Sequence, residues 1–263
     1  MSMTQVNFWD ISPVAHPAVK NLEIYDYKTA GAPRRYWRRN DFPVVADYLM
    51  NQRENLIKDF LKECSSLDEA IKINNPQSVS DQLSQLGGLP VPVHSIGDLD
   101  VSEFLRNSGL TSWKAIGLRF ENKRLGILSE TDEDDEKRIK YPTAYKLIQR
   151  FQGDIGNAGY SIIEPNSVID RHTGPENRDG EYLRIHIPLI IPIGDIFFEC
   201  LGEIITWDDI WGFNNQLIHS AHNYTNEYRL IFLIDLRRTA IGLEPGEPFD
   251  EKWQIHAKPF IRE

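Results

Sequence analysis

The sequence predicts a mainly β protein with a helical N-terminal part. From Tyr160 onward, short runs rich in Ile, Val, Phe and Leu are separated by Pro, Gly, Asn and Asp, which is typical of short antiparallel strands. In the first 110 residues, apolar side chains instead recur at helical spacing. Closely spaced short strands favour a sandwich or a barrel, and a small barrel can hold one ligand in its mouth.

Length and composition indicate a globular protein with three regions. The chain has 263 residues, of which 41% are hydrophobic and 26% are charged. We expect a helical or irregular region at residues 1–110 that packs on the barrel, a β core at 111–240 and a C-terminal tail at 241–263.

The charge and the lack of targeting signals restrict the partners that we expect. A formal net charge of −10 argues against nucleic acid and against an anionic membrane surface. The sequence contains no apolar run long enough to cross a membrane and no basic-then-apolar leader. We therefore expect a cytoplasmic protein, in which Cys64 and Cys200 are free thiols.

The first predicted element is a long helix. Asp41 precedes Phe42 and Pro43, a plausible N-cap followed by proline in the first turn. Apolar residues then recur at helical spacing from Val44 to Leu61, which predicts one helix that ends near Cys64.

Two shorter helices follow in the predicted N-terminal region. Ser66, with Glu69 three positions later, forms the pattern of a capping box at a helix start. Another helix is predicted from Asp81 to Leu86, because the glycine pair that follows would end it.

The predicted core begins with a strand at Trp113–Phe120. The acidic stretch Glu130–Lys137 is predicted to be a solvated loop, and Pro142 opens a helix that Gly153 closes. Four later runs are predicted as strands: Tyr160–Ile163, Leu183–Ile191, Ile196–Cys200 and Tyr228–Leu236.

Two histidines are the candidate metal ligands. His172 follows a strand-like segment and precedes a turn, whereas His219 lies at the edge of an apolar run. Both positions suit strand ends that face one cavity, and neutral imidazole binds Fe, Zn, Cu or Ni. The alternative is that each histidine has a structural role only.

Arg229 is the candidate for binding an anion. It lies in the apolar run Tyr228–Leu236, where alternation places it on one face with Ile231 and Leu233. A buried guanidinium needs an anionic partner, which is either a carboxylate of the protein or a carboxylate of a ligand. Its planar fork suits bidentate binding of a carboxylate.

Arg184 and His186 share one face of their predicted strand, opposite Ile185 and Ile187. Two polar side chains on the face that we expect to line the cavity indicate ligand contacts. The alternative is that His186 is hydrogen-bonded in the core and that Arg184 is ion-paired at the rim.

These motifs resemble the aspartyl/asparaginyl β-hydroxylase family of Fe(II)- and 2-oxoglutarate-dependent oxygenases. The similarity covers roughly Tyr160 to Arg238, where several positions agree in order and spacing. The positions that carry it are His172-Thr-Gly-Pro175, Arg184-Ile-His186, Gly202-Glu203, Trp207, the segment Phe213–His219, Arg229 and Ser161.

The resemblance implies a double-stranded β-helix, which is a jelly-roll, cupin-like barrel, and it implies a role for each matched residue. His172 and His219 would hold Fe(II). Arg229 would bind the distal carboxylate of 2-oxoglutarate, assisted by Ser161 and His186, and Arg184 would help to hold the substrate. The site would have no carboxylate ligand to iron, since Gly174 stands where such a ligand occurs in most related oxygenases.

By the same resemblance, the protein is expected to be a dioxygenase. It would hydroxylate a small-molecule amino-acid or peptide substrate and release succinate and carbon dioxide. Two alternatives remain at this point. One is a non-catalytic, cupin-like binding protein, and the other is an iron halogenase that uses the open ligand position.

Overall fold

The computed structural model describes residues 4–6, 22–24, 34–78, 112–122, 127–130, 136–172, 177, 180–217 and 219–247. Of these, residues 4–6, 22–24, 121–122, 127–130 and 170–172 are described through their backbone alone. The helices are α1 (Pro43–Asn51), α2 (Arg53–Leu61), α3 (Leu67–Asn74), α4 (Glu136–Lys140) and α5 (Pro142–Arg150). None of these described helices is long and apolar enough to cross a lipid bilayer.

The described strands contain more residues than the described helices. Those before the core are β1 (Thr4–Val6), β2 (Leu22–Ile24), β3 (Tyr36–Arg38), β4 (Gln77–Ser78), β5 (Trp113–Asn122) and β6 (Ile127–Glu130). Those of the core are β7 (Ile155–Ile163), β8 (Ser167–His172), β9 (Tyr182–Ile190), β10 (Ile196–Cys200), β11 (Glu203–Ile205), β12 (Trp211–Phe213), β13 (His219–Asn223) and β14 (Arg229–Arg237).

The eight core strands form two antiparallel sheets in the order of a double-stranded β-helix. The minor sheet has the order β11-β10-β13-β8. The major sheet has β12-β9-β14-β7 at its centre, with β3 added at one edge and β5, β6 and β4 at the other. The chain passes repeatedly between the two sheets, which is the jelly-roll arrangement. The predicted mainly β, double-stranded β-helix fold is confirmed.

The major sheet buries both of its faces. Its outer face packs on α1, α2, α3 and α5, and Leu56 and Phe60 are fully buried there. Its inner face and the minor sheet enclose a second apolar cluster that includes Phe198, Trp207 and Phe213. Strands buried on two faces are hydrophobic almost throughout, and this explains the nearly continuous apolar runs of β7, β9 and β14.

The long helix that was predicted up to Cys64 is two helices. The break is at Gln52, whose N–H bonds to the carbonyl of Leu49 only three residues earlier, so that the last turn of α1 is tightened. The predicted cap is also displaced by one residue. Phe42 occupies the cap position, and the carboxylate of Asp41 instead accepts a hydrogen bond from the N–H of Arg38.

The other local predictions have mixed outcomes. The hydroxyl of Ser66 caps α3 by accepting a bond from the N–H of Glu69, as predicted. The predicted strand at residues 113–120 and the helix opened by Pro142 are both present. The predicted acidic loop is wrong at its two ends, which lie in β6 and α4. The helix predicted at 81–86 lies outside the described residues.

Candidate metal and carboxylate site

Arg229 is the first residue of β14, and its side chain lies between the two sheets. The residue is 1% exposed and is the bulkiest of the fully buried side chains that the structure describes. Its Cζ lies 4.9 Å from the centre of the Trp207 ring, and its Nη2 donates a 3.4 Å hydrogen bond to Ser161 Oγ. Its Nε and Nη1 have no hydrogen-bond partner within the described part of the chain.

The guanidinium of Arg229 is therefore a buried cation without a protein carboxylate among the described side chains. Burial lowers the pKa of Arg229 to about 9, so the group still carries its charge at neutral pH. A buried charge left unpaired is strongly unfavourable, and an anion from solution would remove that cost. This favours the ligand carboxylate over a protein carboxylate as the partner of Arg229.

Ser161 is held beside Arg229 by the pairing of the sheet. It lies on β7 opposite Ile231 of β14 and Ala115 of β5. The indole N–H of Trp113 donates a 2.9 Å hydrogen bond to Ser161 Oγ, and Ser161 is only 2% exposed. The hydroxyl is thus fixed between an indole and the unpaired guanidinium, where it can also bond to an anion.

His186 is enclosed by aromatic rings on the inner face of β9. Its Nδ1 accepts a 3.2 Å hydrogen bond from the indole N–H of Trp207. Burial, followed by the positive charges of Arg229 and Arg184, holds the pKa of His186 well below its ordinary value. The surrounding rings are Phe198, Trp207, Trp211 and Phe213, with centroids 4.5–6.2 Å from the imidazole.

The two candidate metal ligands are neighbours in the minor sheet. The backbone of His219, at the start of β13, pairs with that of His172, at the end of β8. His219 is buried, and its Nδ1 lies 2.7 Å from the carbonyl oxygen of Leu217. An Nδ1–H that donates to a carbonyl leaves the lone pair on Nε2, as in many metal-binding histidines. His172 is described through its backbone only.

The candidate metal ligand His219 and the candidate carboxylate-binding residue His186 contact the same aromatic rings. Phe213 lies 4.8 Å from the His219 ring and 5.3 Å from the His186 ring. Phe198 likewise contacts both imidazoles, at 5.5 Å and 5.4 Å. His219, His186, Trp207 and Arg229 thus follow one another along the space between the sheets.

Comparison with known sequences identifies the family of the chain. The sequence profile of the aspartyl/asparaginyl β-hydroxylase family matches residues 62–239, more than half of the chain. The chain belongs to this family. The match begins in the N-terminal helical region and includes all six residues that we selected for the site.

Individual members of the aspartyl/asparaginyl β-hydroxylase family are similar to this chain over stretches shorter than residues 62–239. The mouse and human proteins named aspartyl/asparaginyl β-hydroxylase are 30% and 32% identical to it over 101 residues, which is 36% of this chain. That stretch is 13% of the length of either curated relative.

One solved structure with a similar arrangement is an oxidoreductase of the 2OG-Fe(II) oxygenase family from Burkholderia pseudomallei. It is 9% identical, with a TM-score of 0.34, over 52% of this chain and 68% of that one. The fold of this chain is identified by the order of its strands and not by the similarity to that structure.

Arg184 has a protein partner in this family member. Its Nε and Nη2 donate bonds of 2.8 Å and 2.7 Å to the two carboxylate oxygens of Asp235. Asn157 donates a further 2.8 Å bond to that carboxylate. The ion pair that the sequence left open is therefore present, although it is buried and not at the rim, and the substrate role of Arg184 stays a prediction.

Two features of the site were missed from the sequence. The first is that Trp207 contacts both His186 and Arg229. These residues are distant in the chain, so the sequence singled out Trp207 only through its place in the family motif. The second feature is a cluster of buried amides, Asn177, Asn215 and Gln216, that links the segments next to the two candidate metal histidines. An unusual run of amide residues at 214–216 was its only signal in the sequence.

Proposed function

We propose that this protein is an Fe(II)- and 2-oxoglutarate-dependent hydroxylase that acts on an amino-acid or small-peptide substrate. The observation that carries the proposal is the buried guanidinium of Arg229, whose Nε and Nη1 lack a partner within the described residues. A site with an unpaired, planar cation beside a hydroxyl suits a carboxylate ligand. Membership of the hydroxylase family supports the reaction class.

The donors of the chain fit the two groups that this activity needs. His172 and His219 would hold the iron, and the Nδ1–Leu217 contact orients the His219 ring so that Nε2 carries the lone pair. Arg229 and Ser161 would bind the distal carboxylate of the keto acid. Among the described side chains, no group of three or more His, Cys, Asp and Glu is placed to hold a metal ion.

When bound, iron and 2-oxoglutarate supply the oxidising chemistry, in which dioxygen and the keto acid yield succinate, carbon dioxide and a hydroxylated substrate carbon. The chain itself would bind and orient the keto acid and the substrate, and it would exclude water from the site. The fork of Arg229 selects a dicarboxylate, because a monocarboxylate would leave the guanidinium unpaired. The rings of Phe198, Trp207 and Phe213 keep water from the space between the two sheets.

The test is anaerobic addition of Fe(II) and 2-oxoglutarate to metal-stripped protein, monitored by the visible charge-transfer band of an iron-chelated keto acid. We expect the band in the native protein and its loss in Arg229→Ala, with iron still bound. The matched control is Arg237→Ala. This arginine is on the same strand but is half-buried and paired with Glu181 and Asp154.

The outcomes separate the candidate functions. A band that depends on Arg229 and not on Arg237, followed by succinate formation in air, supports the hydroxylase. Metal binding without a band in the native protein contradicts the keto-acid pocket and favours a binding protein. A chlorinated or brominated product in the presence of halide would favour the halogenase.

A further inference from the structure

Trp207 contacts two of the three polar residues of the proposed keto-acid pocket, His186 and Arg229. It lies in the loop between β11 and β12 and is 3% exposed. Its indole N–H donates to His186 Nδ1 at 3.2 Å, and its ring lies 4.9 Å from the Cζ of Arg229. Trp207 therefore couples the histidine to the arginine.

The hydrogen bond from Trp207 determines which nitrogen of His186 carries the proton. An indole nitrogen is a donor only, so the Nδ1 that it contacts must be an acceptor. In a neutral imidazole the other nitrogen then carries the proton. The lowered pKa of His186, caused first by burial, keeps the ring neutral. His186 is consequently an Nε2–H donor.

The ring of Trp207 also stabilises the position of the Arg229 guanidinium. A cation over the face of an indole is attracted by the negative face of the ring, and Trp is the strongest of the aromatic partners. Arg229 Nη2 is already bonded to Ser161. With the ring on one side and Ser161 at Nη2, the N–H groups of Nε and Nη1 are left for a ligand.

We propose that Trp207 is the positioning residue of the keto-acid pocket. Its N–H fixes His186 as an Nε2–H donor, and its ring holds the Arg229 fork, so that both donate to a bound dicarboxylate. This inference rests on the proposed function, because it names the residue that prepares the same pocket for its ligand. It does not give Trp207 any contact with iron or with the reacting atoms.

The test compares Trp207→Phe with a matched control, Trp211→Phe. Phenylalanine at 207 keeps an aromatic ring but removes the N–H. Trp211 also contacts the His186 ring, at 4.5 Å, but its N–H donates to the carbonyl of Thr206. The control therefore removes an indole N–H from the same aromatic wall without removing the bond to His186.

Two measurements are made on each protein. The first is the nitrogen-15 NMR spectrum of the histidine side chains in the metal-free protein, which distinguishes a protonated from an unprotonated ring nitrogen. The second is calorimetric titration of the Mn(II)-loaded protein with 2-oxoglutarate, which reports affinity without turnover.

In the native protein and in Trp211→Phe, we expect His186 to be protonated on Nε2 alone. In Trp207→Phe, we expect the Nδ1–H form to appear and the affinity for 2-oxoglutarate to fall about tenfold, since one oriented hydrogen bond is lost. In assays of the iron enzyme, KM for 2-oxoglutarate should rise with little change in kcat.

Three results would overturn the inference, and two of them need no variant. Protonation of His186 on Nδ1 in the native protein would do so directly. An unchanged tautomer and affinity in Trp207→Phe would overturn it while leaving the hydroxylase proposal intact. Failure of the native Mn(II)-loaded protein to bind 2-oxoglutarate would instead remove the proposed function, and the inference with it.

Discussion

At the scale of single residues, Arg229 and Arg184 show how similar sequence signals lead to different environments. Both arginines lie on strands that are mostly apolar, and both are less than 10% exposed. Arg184 bonds through Nε and Nη2 to Asp235, whereas two nitrogens of Arg229 have no described partner. Alternation predicted which face each arginine is on, but the sequence could not specify the partner, because Asp235 is on a different strand.

The prediction at the residue scale concerns His186 and the dependence of stability on pH. Its pKa is held below the ordinary 6.5, chiefly by burial, so the unfolded chain binds a proton at mildly acid pH that the folded protein does not. Folding is therefore linked to the loss of this proton. The contribution of His186 to the free energy of unfolding is fully present above pH 6.5 and decreases as the pH falls below that value. We expect the free energy of unfolding to fall by about 1.4 kcal/mol per pH unit below about pH 6.5 because of this residue.

The measurement is urea denaturation of metal-free protein at several pH values between about 5 and 8. His186→Gln removes the titrating group, so the difference between the two pH profiles isolates its effect from that of the other histidines. Parallel profiles for the native protein and the variant would contradict the prediction.

At the scale of elements, buried amides connect the two loops that adjoin the candidate metal histidines. Asn177 Nδ2 donates to the carbonyl of Tyr182 at 2.8 Å and to Asn215 Oδ1 at 2.9 Å, and Asn177 Oδ1 accepts from the N–H of Tyr182 at 2.9 Å. Gln216 donates to the carbonyl of Asn177. The segment after His172 is thereby attached to the start of β9 and to the segment that precedes His219.

We expect Asn177→Ala to lower the free energy of unfolding by about 1–3 kcal/mol, because it removes three buried hydrogen bonds, two to the backbone of Tyr182 and one to Asn215. The amide of Tyr182 should also exchange its hydrogen faster than the fall in global stability alone explains. Urea denaturation and hydrogen exchange measure the two effects.

The control is Asn226→Ala, which removes an exposed amide contact to Asn166. A surface change of this kind should alter stability by less than about 0.5 kcal/mol. Equal effects of the two substitutions would show that the buried amides do not stabilise the loops more than an exposed pair does.

Length alone did not decide which strands the sequence predicted. The five-residue β10 was predicted at its observed bounds, whereas the nine-residue β7 was predicted only from Tyr160, because Gly156, Asn157 and Gly159 interrupt its apolar run. The strands β5, β9 and β14 each span nine or ten residues, and all three were located correctly. The strands β3 and β4 span three and two residues, too short for alternation to be visible, and they were missed. The break at Gln52 was missed because Leu49 and Leu56 keep helical spacing across it.

At the scale of the whole molecule, the helices and the barrel share one core. Tyr160 of β7 is fully buried between them, and its ring contacts Phe60 of α2 at 5.1 Å, Tyr141 at 5.2 Å and Phe232 of β14 at 5.1 Å. Its hydroxyl donates to the carbonyl of Leu56. Arg53 of α2 also donates to the carbonyls of Pro188 and Leu189 on β9. The helices therefore cover the outer face of the strands whose inner face carries the site.

This shared core predicts that the helices and the barrel unfold together. Phe60→Ala removes a fully buried ring at their junction and should lower the free energy of unfolding by about 3–5 kcal/mol. Far-UV circular dichroism reports chiefly the helices. Of the six tryptophans, Trp37, Trp113, Trp207 and Trp211 lie in the two sheets or in the loop between β11 and β12, so tryptophan fluorescence reports chiefly the barrel. The two transitions should shift by the same amount and coincide, as a two-state domain requires.

The control for this prediction is Ile73→Ala, which truncates an apolar side chain of α3 that is 57% exposed. Its effect should stay within about 0.5 kcal/mol, because little buried surface is lost. If Phe60→Ala lowers the midpoint of the helical signal while the fluorescence keeps its native midpoint, the helices form a separate unit. Substitutions on α2 would then leave Arg229 and His186 unaffected. A common shift would instead mean that the buried cation at the site is maintained by packing on both faces of the major sheet.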